Sequence, residues 1–525
     1  MAIRLNGIFK DNMVFQWGAE LRVFGYCDRI CTIRCELILN DAVVLSGVAG
    51  TEEDGSFLVC VPPTEEPGGP YEIRVSENDV ETVRLTGVYG GEVWLAAGQS
   101  NMEYPLGRSE FARYVIPQIG NSEIMFYEVP RAGFLDEEQA KADEESQWVS
   151  ISSETAASMS AVAFYFARAL ENRIDAKIGI IGCYVGGSAI DCWQSVDSLL
   201  ESREGNSYIK SFDTQAAMLT PEEFDREQED YDKRNEEYGR RLEALLEENP
   251  FLTYKETDSQ LGPGPWPPPV GDKSMRRPGS FFESMILRVA PYTLRGVIYY
   301  QGETDADGHQ NDYGRVFKSL IEEWRSVFFD DELPFIFCQL PMYISKDRKY
   351  MGYDDYSWPV LREQQQVVAI DMRCVYMAVI ADCGEFDNIH PADKKTPGDR
   401  LALLAEKFVY GFENIDAVSP YIIDARRGEG VEITFGGDYM LLNMSSGYSA
   451  GESGFEIAGD DGEFHPADAS VDFDGKTVIL SCPAVEFPVK VRYAYFSYGP
   501  TPLHAQNGLT VTPFQVRIDK DLGGV

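Results

Sequence analysis

A serine, a histidine and a carboxylate can together move an acyl group, and this chain offers all three where apolar runs end. Ser100 stands in Gly98-Gln99-Ser100-Asn101-Met102, directly after the apolar run 93–97. A hydroxyl is a weak nucleophile until a base takes its proton, and the base works best when an acid fixes its tautomer. The chain has four histidines, His309, His390, His465 and His504. His390 follows an apolar run and lies three residues after Asp387. That spacing lets the carboxylate fold back onto one ring nitrogen while the other faces the serine. His309, beyond Gln301-Gly302-Glu303, is the reserve candidate; His465 and His504 lie in a C-terminal β region with no strand-end setting. A tetrahedral oxyanion needs two or three fixed donors. The N–H of Ser100, the backbone of Gly186-Gly187, where no Cβ intervenes, and the side-chain amide of Gln301 can supply them. Each group alone reads equally well as a polar turn. What joins them is that each sits at the expected end of a strand.

Positioning these groups requires a sheet. An apolar run closed by glycine fits a buried parallel strand, and in open α/β sheets ligands gather beyond the carboxyl ends of the strands. Five such strands are expected, over 93–97, 177–184, 295–300, 334–340 and 374–380, with helices over 159–172 and 399–408. Strands alternating with helices predict a three-layer α/β domain with a parallel sheet. Residues 1–90 read instead as short strands punctuated by Asp54-Gly55 and Pro67-Gly68-Gly69-Pro70, the pattern of a β-sandwich. The chain returns to that pattern over 412–525. Three domains are therefore expected: 1–90 (β-sandwich-like), 91–411 (α/β) and 412–525 (β). Within the second, an insertion over about 197–280 carries a charged helix over 221–249 and a Pro-rich loop over 262–269. Phe224, Tyr231, Tyr238 and Leu245 recur every seven residues along that helix. So narrow an apolar stripe is expected to pack back on its own domain.

At 525 residues, with 44% hydrophobic residues, the chain is too long for one core. Its 46 basic against 86 acidic residues give a net charge of −40. Nucleic acid and anionic membranes would be repelled and are not expected as partners. The sequence opens without a basic stretch followed by an apolar core, and no apolar run approaches the roughly 18 residues of a membrane span. Cytoplasmic residence with reduced cysteines is the expectation. The ten cysteines form no C-x-x-C pair. Cys27, Cys31 and Cys35, four residues apart, are expected as buried thiols on one face of a strand. Neither metal nor cofactor is expected.

Four blocks, Gly98-Gln-Ser-Asn-Met102, Gly186-Gly-Ser188, Tyr300-Gln-Gly-Glu-Thr-Asp305 and Asp387-x-x-His390-Pro391, resemble the successive blocks of the SGNH hydrolases. Within these the sequence is most similar to the sialate O-acetylesterase group, whose members also include plant-polysaccharide acetylesterases. The similarity extends to Phe9–Gln16, to the charged helical insertion and to Gly508–Phe514. One position departs: members of the group often place an aspartate two residues before the histidine, where this chain has Asn388. The resemblance implies a three-layer, flavodoxin-like SGNH domain flanked by β-sandwich-like domains, and a carbohydrate O-acetylesterase. Its substrate would be an O-acetylated sugar, sialate or alternatively xylan or another plant oligosaccharide. A non-catalytic carbohydrate-binding protein is the alternative of another class. The implied roles are Ser100 as nucleophile, His390 as base and Asp387 as orienting acid, with Glu303 as the other candidate acid. Ser100 N–H, Gly187 N–H and the Gln301 amide would hold the oxyanion; Gln99, Asn101, Glu303 and Arg362 would contact the sugar. A sialate carboxylate would also need a cation, for which Arg276, Arg277 and Arg362 are the candidates.

Overall fold

The computed structural model describes residues 3–350, 352, 354–428, 430–438, 442 and 449–519. They fall into two units, Met1–Gln301 with Arg315–Phe335, and Gly302–Gly314 with Ile336–Val525.

In the first unit, strand β1 (Gly68–Glu77) turns back through Asn78-Asp79 into β2 (Val80–Gly98). Asn78 and Asp79 have φ of 45° and 67°, as a two-residue hairpin turn requires, and after glycine these residue types tolerate that region best. The outer half of β2 pairs antiparallel with β1 as far as Gly90. Its inner half is flanked in parallel by two later strands, so the sheet is mixed rather than purely parallel. The boundary expected at residue 90 falls inside this one continuous strand. With β3 (Ile124–Glu128), β4 (Val149–Ser150), β5 (Ile178–Tyr184) and β6 (Gly296–Tyr300), the order in this unit is β4-β3-β5-β2-β6. All these neighbours run parallel except the two-residue edge β4.

Val93 to Ala97 are completely buried, which is why the run is apolar on both faces. Helix α1 (Ser100–Glu103) follows β2. Helix α2 (Ala161–Glu171) packs on the sheet, Phe166 meeting Trp94 edge-on at 4.9 Å, and Ser160 caps it by accepting from Ala163 N–H at 3.2 Å. The N-terminal part adds a sheet of Ile3–Leu5, Leu21–Cys27 and Ser56–Val61. Cys27 ends one of these strands while Cys35 lies in Thr32–Leu39, so the three thiols do not share a strand face as expected, although all are buried. Among the described residues no cluster of His, Cys, Asp or Glu is suited to hold a metal. No described helix is long and apolar enough to cross a membrane.

The insertion's helix α3 (Pro221–Glu248) starts at a Thr220–Glu223 capping box with proline in its first turn. Its stripe packs back on its own exit, as expected. Tyr231 Oη donates to Pro265 O at 3.3 Å, and Arg241 donates to Leu261 O of α4 (Tyr254–Leu261) at 3.3 Å.

The second unit holds β7 (Phe335–Cys338) from Ile336 onward, β8 (Val375–Ala378) and helix α5 (Lys395–Phe408). Gln339 N–H donates to Ala378 O at 2.9 Å, and Phe408 stacks on Tyr376 at 4.3 Å. Two four-stranded antiparallel sheets follow. Ile433, Phe435, Val478 and Leu480 from one and Ile457, Val491, Tyr493 and Phe514 from the other share a core. Val379 and Ala381 belong to the same core, so the segment leading to His390 leaves β8 from an anchored root.

Candidate active site

Strand β2 ends at Gly98, which has φ of 139° and whose Cβ, were there one, would stand 2.1 Å from Tyr300 O. Only glycine lets β6 lie this close where the chain turns out of the sheet. Ser100 then opens α1, held by Met102 N–H and Glu103 N–H on Gln99 O at 2.9 Å each. At the next strand end, beyond β5, a Cβ on Gly186 would lie 3.4 Å from Ser100 Cβ. The Gly186-Gly187 turn therefore packs directly on the serine.

That turn is held from both sides. Gly186 N–H donates to Glu103 Oε2 at 2.5 Å, and Gly186 O accepts from Arg276 Nε at 2.9 Å. In a trans peptide the C=O of one residue and the N–H of the next point in opposite directions. Arg276 on the Gly186 oxygen thus sets the direction of Gly187 N–H and, as a charged donor, polarises it. No hydrogen bond among the described residues occupies that N–H. Glu103 is itself gripped by Arg131, which also holds Glu128 at 2.7 Å. Burial pushes the Glu103 carboxyl up, against the pull of Arg131 and of Gly186 N–H. Glu103 and Arg131 were not expected at the site, and Arg276 was expected to meet a sialate carboxylate. Glu103 carried a signal, its place one helical turn past the serine. Arg276, 90 residues from Gly186, carried none.

Gln301 donates from Nε2 to Gln99 Oε1 at 3.2 Å and to Ser188 O at 3.1 Å. An amide nitrogen has two hydrogens, and both are occupied in tying three strand-end loops together. Gln99 and Asn101, expected to touch the sugar, are 2% and 0% exposed; next to a strand end, they face inward as framework. What does face outward is Trp266 of the Pro-rich loop. Its ring edge packs on Gly187, where a Cβ would stand 2.0 Å from Cη2, and the Arg276 guanidinium lies 5.5 Å from the ring centroid.

In the second unit, Asp387 sits at φ 55°. Its Oδ1 accepts from Lys346 N–H at 2.8 Å, and its own N–H donates to Ile344 O at 3.1 Å. The left-handed turn aims Oδ1 of this carboxylate at the 344–346 loop. The acid wrapped around the histidine's turn is Glu385. Its Oε2 accepts from Asn388 Nδ2 at 3.2 Å and its Oε1 from Ala392 N–H at 3.1 Å, while Asn388 Oδ1 accepts from His390 N–H at 3.1 Å. Asn388 thus links Glu385 to the histidine's own backbone.

The root of this segment is locked by Asp382, which accepts from Arg400 Nη1 at 2.6 Å and Nη2 at 2.7 Å and lies 3.4 Å from His504 Nε2. Burial pushes the Asp382 carboxyl up, but the bonds from Arg400 and His504 prevail and hold it well below the usual range. The same Asp382 bond raises His504 in turn. His309 pairs with Asp312 at 3.6 Å. Glu303, 5% exposed, opposes the burial that brings the Lys394 ammonium down to about 8. It is a buried countercharge to that ammonium. Arg362, expected at the sugar, is buried, and its guanidinium donates to the carbonyls of Pro341, Ala494 and Phe496. Arg277 donates to Gly133 O at 2.6 Å and covers the Phe134 ring at 4.1 Å.

The family model for "Carbohydrate esterase, sialic acid-specific acetylesterase" matches residues 90–248 and 269–403, more than half of the chain. The sialate O-acetylesterase of Mus musculus is 26% identical over 431 residues, covering 76% of this chain and 72% of its own. That of Homo sapiens is 25% identical over 451 residues, covering 80% and 73%. The crystal structure of a carbohydrate acetylesterase from Xanthomonas citri matches with a TM-score of 0.73 and 26% identity, over 98% of this chain and 99% of that one. The segments so matched contain Ser100, the Gly186-Gly187 turn, Gln301 and the Glu385–His390 turn, and the chain belongs to the carbohydrate esterase family of sialic acid-specific acetylesterases, as a carbohydrate O-acetylesterase.

Proposed function

We propose that Ser100 is the nucleophile that removes acetyl groups from O-acetylated sugars. Its Oγ attacks the acetyl carbonyl while His390 takes the hydroxyl proton. The tetrahedral intermediate collapses to an acetyl-enzyme, and His390 returns that proton to the departing sugar oxygen. Water, deprotonated by His390, then attacks the acetyl group, and His390 returns that proton to Ser100 Oγ as acetate leaves. The oxyanion donors are the N–H groups of Ser100 and Gly187, and Gln301 keeps their loops in register. Glu385, not Asp387, is the positioning acid for His390, a reading supported by the Asn388 and Ala392 bonds on either side of that histidine. The fold reading that accompanies this is a three-layer, flavodoxin-like SGNH domain flanked by β-sandwich-like domains, with β2 continuous across the first boundary.

The observation that carries the proposal is the Gly186-Gly187 peptide, which packs on Ser100 and has its far N–H aimed by Arg276. Such a preset dipole stabilises charge that appears only in the transition state. The names of the mammalian relatives make O-acetylated sialate one substrate to try, beside acetylated xylo-oligosaccharides. Acetate release from both, by the wild type and Ser100→Ala, tests the reading: activity on neither, or activity that survives loss of the hydroxyl, would defeat it.

A further inference from the structure

We infer that Trp266 is the platform on which the substrate's sugar ring lies, and that it takes the ring of a neutral O-acetylated pyranoside rather than an acidic sugar. The inference rests on the acetylesterase reading and names its substrate class. Trp266 is 59% exposed, so its indole is open to a ligand. It is also fixed: its ring edge abuts Gly187, whose backbone N–H faces the acetyl oxygen in the proposed reaction. An alcohol esterified to that acetyl group therefore lies within one ring's width of the indole. Pyranose rings present C–H groups on one face and hydroxyls around the rim. Such a face buries well against an aromatic ring while the rim stays in water.

The charge balance chooses the class of sugar. A carboxylate-bearing sugar needs a cation not already matched, and the guanidinium groups on this side of the serine are matched. Arg131 bonds Glu103 and Glu128, and Arg276 sits in the field of Glu103 with its Nε on Gly186 O. Two cations thus face two carboxylates. Arg277 is engaged with Gly133 O and lies 3.7 Å from Glu283. Beyond these, the net charge of −40 repels an anion over the Debye length of about 8 Å and further at low salt.

The test measures kcat and KM on an acetylated xylo-oligosaccharide, a 9-O-acetylated sialate and ethyl acetate, at two ionic strengths, for the wild type, Trp266→Ala and Trp266→Phe. Trp266→Ala should raise KM for the xylo-oligosaccharide about tenfold or more with kcat within about threefold, and Trp266→Phe should recover most of that loss. Ethyl acetate has no ring to stack, so the loss on it should be smaller than on the sugar by about tenfold. Equal losses on sugar and ethyl acetate, or no loss at all, would overturn the platform while leaving the acetylesterase reading standing. A wild type that prefers the sialate at both ionic strengths would overturn the neutral assignment. A wild type that releases no acetate from any of the three would overturn the inference together with the reading beneath it. Because Trp266 is exposed, unaltered thermal unfolding of the variants should accompany the kinetics.

Discussion

Two turns carry the groups on which this account rests, and they are held by opposite means. The Gly186-Gly187 turn has no side chains of its own and is fixed by charged residues remote in sequence, Glu103 at 83 residues and Arg276 at 90. The His390 turn is fixed from within, by Glu385 and Asn388, and its root by Asp382, eight residues back. A backbone donor needs an external clamp because nothing else sets its peptide plane. A histidine needs nearby acids and amides because a mobile imidazole cannot keep one orientation. The first design should fail gradually when a clamp is lost, since the glycines can partly relax. The second should fail abruptly.

The largest effect expected is that of His390→Ala, a loss of about 10⁴-fold or more in kcat, with the double variant lacking Ser100 as well hardly worse, because such residues act as one unit. Additive losses would mean that the two residues do not cooperate. Glu385→Gln should lower kcat by roughly 10²- to 10³-fold with KM little changed, and Glu385→Asp should recover part of it. The same measurement on Asp387→Asn should show a change within about threefold; a larger loss there than at Glu385 would return the positioning role to Asp387. Arg276→Gln should cost about 10- to 100-fold in kcat, less than outright removal of an oxyanion donor, because the freed peptide still samples the productive direction. A defect confined to KM would make Arg276 a sugar contact instead.

The smallest effect concerns stability. Asp382 raises the folded pKa of His504 above its ordinary 6.5. The stabilisation from that bond is therefore fully present below the unfolded value and is lost as pH rises through the folded one. His504→Gln should lower Tm at about pH 6 by more than at about pH 8. A deficit that grows with pH would contradict this sign.

The contrast also explains what the sequence made legible. Val93 to Ala97, apolar at every position and closed by Gly98, read as a buried strand because nothing else produces that run so close to a polar turn. The stripe from Phe224 to Leu245 marked α3 and its packing face. The continuity of β2 across residue 90 was not legible, because the change of pattern near Val93 reads as the start of a new element, whereas strand pairing changes from antiparallel to parallel without the chain leaving the sheet. The burial of Gln99, Asn101, Glu303 and Arg362 was not legible, because nearness to a motif says nothing about which way a side chain points. Trp266 was hidden for the converse reason: in Gly262–Pro269 it looks like one aromatic in a turn-rich loop. Only the fold brings it to Gly187. Spacing from histidine favoured Asp387, while a positive φ turned its carboxylate to Lys346 and left Glu385 on the histidine's turn.

The central claim, that Ser100 is the nucleophile of a sugar O-acetylesterase, is tested most directly by kcat of Ser100→Ala on whichever O-acetylated sugar the wild type deacetylates fastest. The account predicts a fall of about 10⁴-fold or more, leaving only what the oxyanion donors and substrate binding supply. A variant that kept more than about a hundredth of the wild-type kcat would contradict it, because no reaction that starts at the serine hydroxyl survives its removal so well.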